Sequence, residues 1–341
     1  MVALTQIQSS NAQIASSLPP GLVAVFVGAT SGIGELSLKA FAQHATQPRI
    51  YFIGRSQEAA DRITAECKSL NSQGEYIFLK ADVSLIRAVD DVCQEIKKKE
   101  KAINLLFLSQ GTLIIKTETS EKLHFATALA YYSRTRFILD LLPLLQQATG
   151  LRRVVTVFAG GKEGSIDTDD YQAWKVPMMS MRGHVSSMLT LSLEAIAQKA
   201  PDVTFIHNFP GAVKTNLARG GQGVAMAAIR AVFKVIGPFI YLPNQEVGER
   251  HLFLATSARY PPSTASGVAV SSGVPLPEGV PVAKGTDGKT GSGVYSIDWD
   301  GESAGPKTVE LLAKLRKQGL VEKLWEHTMG EFTRITGKEA A

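Results

Sequence analysis

Short apolar runs alternate with amphipathic stretches along the first 210 residues of the chain. Six runs have the length and composition of buried strands: residues 22–27, 49–54, 75–81, 103–109, 152–158 and 202–209. Stretches such as QEAADRITAECKSL separate them and carry apolar residues at helical spacing. Alternation on this scale predicts an α/β fold with a doubly wound parallel sheet and helices on both faces.

The pattern changes near residue 259. Residues 260–292 are rich in Pro, Gly and Ser and break both periodicities, which predicts an irregular segment wrapped on the domain. The stretch GVYSIDW (293–299) suggests a short hairpin, and the leucines of 311–324 predict a terminal helix. We therefore expect a polar segment 1–20, a domain 21–259, and an extension 260–341 packed on that domain.

The longest apolar stretch runs from residue 224 to 242. Arg230, Lys234 and Pro238 interrupt it, so a membrane-spanning helix is not expected. Three interpretations stay open: a lid over a substrate pocket (about 220–243), a helix resting on a membrane surface, or a helix packed in the domain.

Composition narrows the class of protein. The net charge of +5 is scattered over 341 residues, so a nucleic-acid surface is not indicated. Cys67 and Cys93 have neither metal-ligand spacing nor a disulfide framework, and we predict no metal site. The polar N-terminus lacks the features of a secretion signal. A cytoplasmic protein is expected.

The motif GATSGIG follows the first predicted strand directly. Its glycines, Gly28, Gly32 and Gly34, suit a sharp strand-to-helix turn whose backbone approaches a pyrophosphate at the helix N-terminus. Thr30, Ser31 and Ile33 complete the turn. A glycine triplet at this place predicts a dinucleotide-binding, Rossmann-type domain.

GATSGIG resembles the nucleotide-binding turn of the short-chain dehydrogenase/reductase family, and the resemblance extends over roughly residues 20–260. It implies NADP(H) as cofactor, because Arg55 of IGRS stands where the family places a basic residue against the 2′-phosphate. It also implies further cofactor contacts in the segments ADVS, LSQG and FPGAVKT, namely Asp82, Val83, Gly111, Pro210, Gly211, Val213 and Thr215. In LSQG, Gly111 is kept but the family's asparagines are not.

The same resemblance implies a catalytic Tyr and a Lys one helical turn later, with a supporting Ser and Asn. YQAWK has that spacing at Tyr171 and Lys175. However, Pro177 excludes YQAWK from the following helix, and counting back from Pro210 puts the Tyr and Lys positions at Met179 and Gly183. The Ser and Asn positions are Ala159 and Ala130. All four expected side chains are then absent.

Replacement donors are predicted nearby. The catalytic candidates are Tyr171, Lys175 and His184, since a histidine can exchange a proton near neutral pH. A structural, hydrogen-bonded His184 is the alternative. Other polar candidates are Tyr131, Tyr132, Arg134 and Arg182, of which Tyr132 and Arg134 could equally pair on the helix surface.

RRVVTVFAGGKEGSID, SMRGHVSS and LWEHT also resemble divergent fungal members of the superfamily that are linked to secondary-metabolite pathways. That resemblance implies a hydrophobic small-molecule substrate. Three hypotheses follow: an NADP(H)-dependent oxidoreductase with a non-standard proton donor, a redox-silent cyclase or isomerase, and a non-enzymatic NADP(H)-binding protein. A homo-oligomer is possible in each case.

Overall fold

Parallel strands form one sheet at the centre of the protein. The computed structural model describes residues 1–215, 217, 237, 240–264 and 273–340. Within these residues the sheet has seven strands in the order β3-β2-β1-β4-β5-β6-β7. The strands are β1 Val23–Val27, β2 Arg49–Gly54, β3 Glu75–Lys80, β4 Leu105–Leu108, β5 Arg153–Val157, β6 Thr204–Asn208 and β7 Val294–Ile297. The predicted fold class and the six predicted strands are confirmed.

Helices cover both faces of the sheet. They are α1 Leu4–Ala12, α2 Ile14–Ser17, α3 Gly32–His44, α4 Gln57–Leu70, α5 Ile86–Lys99, α6 Phe125–Thr127, α7 Ser133–Gln147, α8 Met178–Lys199, α9 Asn244–Thr256, α10 Pro306–Lys317 and α11 Leu320–Thr336, with a π-helical turn at Ala128–Tyr132.

Successive residues of β1 belong to different hydrophobic clusters. Ala24 and Phe26 pack in the layer that includes α3 and α9, whereas Val25 and Val27 pack in the layer that includes α5 and α7. Side chains of a strand alternate between the two faces of a sheet, so a strand covered on both faces is apolar throughout. This explains the continuous apolar runs of the sequence.

The segment GVYSIDW forms a parallel strand that is followed by a tight antiparallel turn, in which Ile297 bridges Ser303 and the N–H of Ala304 donates to the carbonyl of Ser296. Residues Val294–Ile297 form β7, which pairs parallel to β6 with Phe205 opposite Val294. All four residues of β7 are buried, since the extension lies over the edge of the sheet. A single short strand that joins a distant partner leaves no local turn signal, so the local pattern could not assign its partner.

The two ends of the chain pack on the central layers. Asn11 of α1 donates hydrogen bonds to Glu249 of α9. The predicted terminal helix consists of two helices, α10 and α11, separated at Gly319, which has a φ of +68°. Leu324 and Phe332 of α11 are buried in a third apolar cluster with residues of α8 and the π-helical turn.

No helix of the described residues is long and apolar enough to cross a lipid bilayer. The predicted lid at 220–243 falls outside the described residues, apart from residue 237 and residues 240–243.

Candidate active site

The order of the strands creates a crevice between β1 and β4. The chain builds the sheet outward from β1 to β3 and then returns to place β4 on the other side of β1. The connections after these strands leave in opposite directions, and ligands of open α/β sheets bind in such a crevice, at the carboxyl ends of the strands.

Glycines let the turn before α3 pack closely against the segment after β4. Gly28 has a φ of +77°, and a Cβ on it would lie 2.6 Å from the backbone nitrogen of Gln110. A Cβ on Gly34 would lie 2.4 Å from Oγ of Ser109. Helix α3 begins at Gly32, and the preceding Ser31 makes no side-chain cap. Uncapped amides at the start of a helix suit a pyrophosphate, so these residues fit a dinucleotide.

Segments that are distant in the sequence meet at this turn. A Cβ on Gly32 would lie 3.2 Å from Cγ2 of Thr215, and a Cβ on Gly54 would lie 2.4 Å from Cγ2 of Thr30. The segment after β6 and the end of β2 therefore both reach the glycine turn. The backbone of Leu113, two residues after Gly111, donates to the carbonyl of Leu217 at 3.2 Å.

The remaining cofactor candidates lie around the same edge. Arg55 is exposed directly after β2, and no carboxylate of the described chain pairs with it, whereas Arg62 pairs with Glu35. Asp82 is exposed and accepts hydrogen bonds from the backbone and hydroxyl of Ser84. Pro210 and Val213 are partly exposed on the segment after β6, and Val83 is buried directly after β3.

At the expected Ser position the chain carries Phe158 and Ala159. The backbone N–H of Ala159 donates to Nε2 of His207 at 3.0 Å, and its carbonyl accepts from Ser186. The Phe158 ring stacks on the ring of His207, with centroids 6.2 Å apart. This position offers an aromatic face and no hydroxyl.

At the expected Lys position a side chain would press against the backbone of the loop after β5. A Cβ on Gly183 would lie 3.0 Å from Cα of Gly164. The backbone N–H of Gly164 donates to the carbonyl of Gly183 and to Oγ of Ser187, both at 3.0 Å. The loop after β5 therefore crosses α8 at this place. Met179, at the expected Tyr position, is 95% exposed.

The segment YQAWK lies in the loop before α8, as predicted from Pro177, which precedes the first residue of the helix. The carboxylate of Asp170 accepts the backbone N–H groups of Trp174, Lys175 and Val176. This carboxylate turn, with Ala173 at a φ of +62°, produces the Tyr-to-Lys spacing without a helix. Asp170 was not singled out in the sequence.

Tyr171 packs against the C-terminal helix. Its ring lies 4.5 Å from the ring of His327 in α11, and Nε2 of His327 is 2.7 Å from the hydroxyl of Tyr132. Burial and Asp169 raise the pKa of Tyr171, the opposite of what a proton donor near neutral pH needs. Lys175 is exposed to solvent.

His184 is buried and anchors the same loop. Its Nδ1 accepts the backbone N–H of Asp167 at 3.1 Å, which leaves Nε2 to donate to the carbonyl of Tyr171 at 3.2 Å. Burial lowers the pKa of His184. With both ring nitrogens engaged by the backbone, the geometry favours the structural alternative for His184 over proton transfer.

Arg134 and Tyr132 do not lie on the helix surface, where the sequence allowed them. Both are buried, Arg134 with 1% exposure. Its guanidinium donates to the carbonyls of Leu108 and Gln110 and to Oγ1 of Thr156. Ala130, at the expected Asn position, lies in the π-helical turn just before Arg134, and such turns occur often at functional sites.

A buried polar network lies behind β5 and includes two residues that sequence reasoning missed, Glu163 and His207. Oε1 of Glu163 accepts from Thr190 at 2.8 Å and from Ser296 at 2.7 Å, and burial raises the pKa of Glu163. Burial and the charge of Arg134 lower the pKa of His207 to about 3. The run GGKEG after a predicted strand was the available signal, because clustered glycines mark close backbone approach.

Exposed apolar side chains collect at the carboxyl edge of the sheet. Among the described residues, most of the exposed large hydrophobic side chains follow β4, β5 or β6; these are Leu113, Trp174, Met178, Met179, Leu217 and Ile240, called here the apolar rim. Exposed apolar side chains at this edge of an α/β sheet are typical of a site that binds an apolar ligand.

The crevice, the glycine turn and the strand order agree with what known proteins show. The family model for short chain dehydrogenase matches residues 22–220. The chain therefore belongs to the short-chain dehydrogenase/reductase family and is an oxidoreductase. Enzymes of this family use NAD(P)H.

Two fungal relatives match nearly the whole chain. Oxidoreductase andH of Emericella variicolor is 37% identical over 340 residues, covering 99% of this chain and 98% of that protein. Oxidoreductase AN1596 of Emericella nidulans is 39% identical over 333 residues, covering 96% and 97%. The L-sorbose reductase of Gluconobacter frateurii, solved with NADPH and L-sorbose, shares the fold with a TM-score of 0.53 and 18% identity, covering 70% of this chain and 91% of that chain.

Proposed function

We propose that this enzyme is an NADPH-dependent reductase of a hydrophobic small molecule and that it works without the family's Tyr–Lys pair. The apolar rim carries the proposal on the substrate, because its residues are exposed on the segments that follow β4, β5 and β6, at the edge of the sheet where the crevice opens. A role in secondary-metabolite biosynthesis fits such a substrate.

The choice of NADP(H) rests on Arg55. A free guanidinium directly after β2, where no acidic residue stands, suits a 2′-phosphate and leaves nothing to bind a free ribose hydroxyl. The glycine turn would hold the pyrophosphate, and Thr215 would close over the bound nucleotide beside Gly32. The bound nucleotide supplies the hydride.

The proposal that the Tyr–Lys pair is missing rests on the backbone contact between Gly164 and Gly183. This backbone contact fills the position from which a lysine would act, and Met179 offers no proton. His184 and Asp170 then hold the YQAWK loop in place, and Tyr171 packs on His327. We propose that water provides the proton while the pocket positions the substrate.

The same absence favours a second candidate, a redox-silent cyclase or isomerase that keeps the nucleotide as a structural element. One experiment separates the two. Purified enzyme is incubated with NADPH and a panel of apolar ketones and enones, and NADPH absorbance is followed together with product mass. A product two hydrogens heavier with equal NADPH loss supports the reductase. A product isomeric with its substrate, without NADPH loss, would show the second candidate to be correct.

The cofactor choice has its own test. Arg55→Ala should weaken NADPH binding by roughly tenfold to a hundredfold and leave NADH binding unchanged, because charge-assisted contacts to phosphate are strong. Arg49→Ala is the matched control, since Arg49 pairs with Glu100 at the other end of the same strand. Equal losses for both nucleotides would contradict the 2′-phosphate role.

A further inference from the structure

Arg134 carries a buried charge that the proposed function does not use. This guanidinium is buried, and no carboxylate of the described chain lies within ion-pair distance of it. Burial without an opposing charge lowers the pKa of Arg134 to about 9. Buried charges in proteins are normally paired, because an unpaired one costs free energy of solvation. A retained, unpaired charge therefore calls for an explanation.

The position of Arg134 supplies one. Its donors contact Leu108 and Gln110 at the end of β4 and Thr156 near the end of β5. Gln110 is also the residue whose backbone closes on Gly28 of the glycine turn. The positive charge is thus fixed directly behind the floor of the crevice, at its β4–β5 side.

Nearby ionisable groups do not pair with this charge. His207 is held neutral because burial and Arg134 itself lower its pKa to about 3. Glu163, the buried acid of the same region, faces His207, with its Oε1 3.7 Å from Nδ1 of the ring, and burial raises its pKa. Within the described residues, Arg134 is therefore held by carbonyl and hydroxyl oxygens and by no carboxylate at ion-pair distance.

We propose that Arg134 makes the crevice select the reduced dinucleotide over the oxidised one. The proposal rests on the NADP(H) function proposed above. An oxidised nicotinamide ring carries a positive charge and a reduced ring carries none, so a fixed cation beside the site repels the oxidised form alone. Such a site takes up NADPH and releases NADP⁺, which is the direction of a reductase.

The test measures the dissociation constants of NADPH and NADP⁺ by calorimetry, without any substrate. The wild-type protein should bind NADPH more tightly. For unit charges about 10 Å apart at an effective dielectric constant near 20, the preference is roughly tenfold. Arg134→Met should remove this preference, and Arg134→Lys should keep it.

A second variant neutralises the charge without removing Arg134. Thr156→Asp places a carboxylate of similar volume against the guanidinium and should also reduce the preference roughly tenfold. Thr156→Asn is the matched control and should leave it unchanged. Circular dichroism checks that each variant is folded.

Two outcomes would overturn the inference. The first is a wild-type protein that binds NADPH and NADP⁺ with nearly equal dissociation constants, a result that requires no variant. The other is a folded Thr156→Asp protein whose preference stays within about twofold of the wild type, against the roughly tenfold expected. If the wild type binds neither nucleotide, the proposed function itself has failed, and that result is distinguishable from both.

Discussion

Two pairs of glycines at the same edge of the sheet allow close packing with different consequences. At the β1–β4 crevice, Gly28 and Gly34 stand where a side chain would collide with Gln110 and Ser109, so the missing side chains let the turn before α3 form its helix N-terminus against the end of β4. At the β5–α8 end, Gly164 and Gly183 let two backbones meet at the position where we expect the family's lysine. The first region carries the glycines of the family's turn, and we propose that the second lacks the family's Tyr–Lys pair.

Under this proposal, the chain keeps the family's cofactor turn while the chemistry beside it differs. The cofactor turn depends on backbone shape, which a few glycines specify. Catalysis depends on side chains at fixed places. At the expected Ser position this chain carries Phe158 and Ala159, and at the expected Lys position it carries Gly183. Fold resemblance therefore supports the nucleotide more strongly than it supports any particular proton donor.

The largest expected effect comes from adding a side chain to Gly28 in the glycine turn. Gly28→Ala should weaken NADPH binding by at least about a hundredfold, because the new Cβ meets the Gln110 backbone at a positive φ. Fluorescence titration with NADPH measures the loss. Gly330→Ala is the control, since nothing lies within 4 Å of a Cβ on Gly330. Unchanged affinity in Gly28→Ala would disprove the assigned cradle.

A side chain added at the contact between Gly183 and Gly164 should affect stability instead. Gly183→Ala pushes a Cβ against Gly164, so we expect a loss of about 1–3 kcal/mol in the free energy of unfolding, with NADPH affinity unchanged. Urea denaturation beside Gly330→Ala provides the measurement. A gain of about 1 kcal/mol, the ordinary result of Gly→Ala in a helix, would show that the crossing is loose.

Acid should lower the free energy of unfolding through the buried His207. His207 is neutral in the folded protein with a pKa of about 3, while an unfolded histidine titrates near 6.5, so the unfolded state binds more protons below pH 6.5. Stability is thus full above pH 6.5 and falls as the pH drops. Between pH 6.5 and 5 the loss from His207 is about 2 kcal/mol.

Urea denaturation at pH 7 and pH 5 checks this value. The variant His207→Gln keeps an acceptor for the Ala159 N–H but cannot titrate, so its loss over the same range should be smaller by about 2 kcal/mol. An equal loss of unfolding free energy between pH 7 and pH 5 in both proteins would show that another group causes the acid sensitivity.

The smallest effect is expected at the segment that most resembles a catalytic signature. Tyr171→Phe should lower the turnover rate by less than about threefold, because its ring packs on His327, whereas loss of a general acid typically costs about a hundredfold or more. Steady-state NADPH oxidation measures it, with Tyr76→Phe on the distant edge strand β3 as the control tyrosine.

The sequence predicted the sheet and the cofactor turn because both depend on local patterns. Apolar runs of strand length identified six strands, and GATSGIG after the first of them located the crevice. β7 escaped this reasoning, since its partner β6 lies almost 90 residues earlier (Phe205 opposite Val294) and no local pattern reports such a pairing.

The chemical end was predictable in part. Pro177 correctly placed YQAWK outside α8. The burial of Arg134 and the network of Glu163 and His207 could not be predicted, because the sequence does not show whether a polar residue in an amphipathic stretch faces water or the sheet. Packing against β4 and β5 determines whether such a side chain is buried.

A crystal structure of the protein with bound NADPH tests the central claim most directly. The account predicts the pyrophosphate on the N-terminus of α3, the 2′-phosphate against Arg55, and no tyrosine hydroxyl or lysine ammonium within hydrogen-bonding reach, about 3.2 Å, of a carbonyl placed over the nicotinamide. A YQAWK loop that folds inward, with Tyr171 and Lys175 both directed at the nicotinamide, would contradict it.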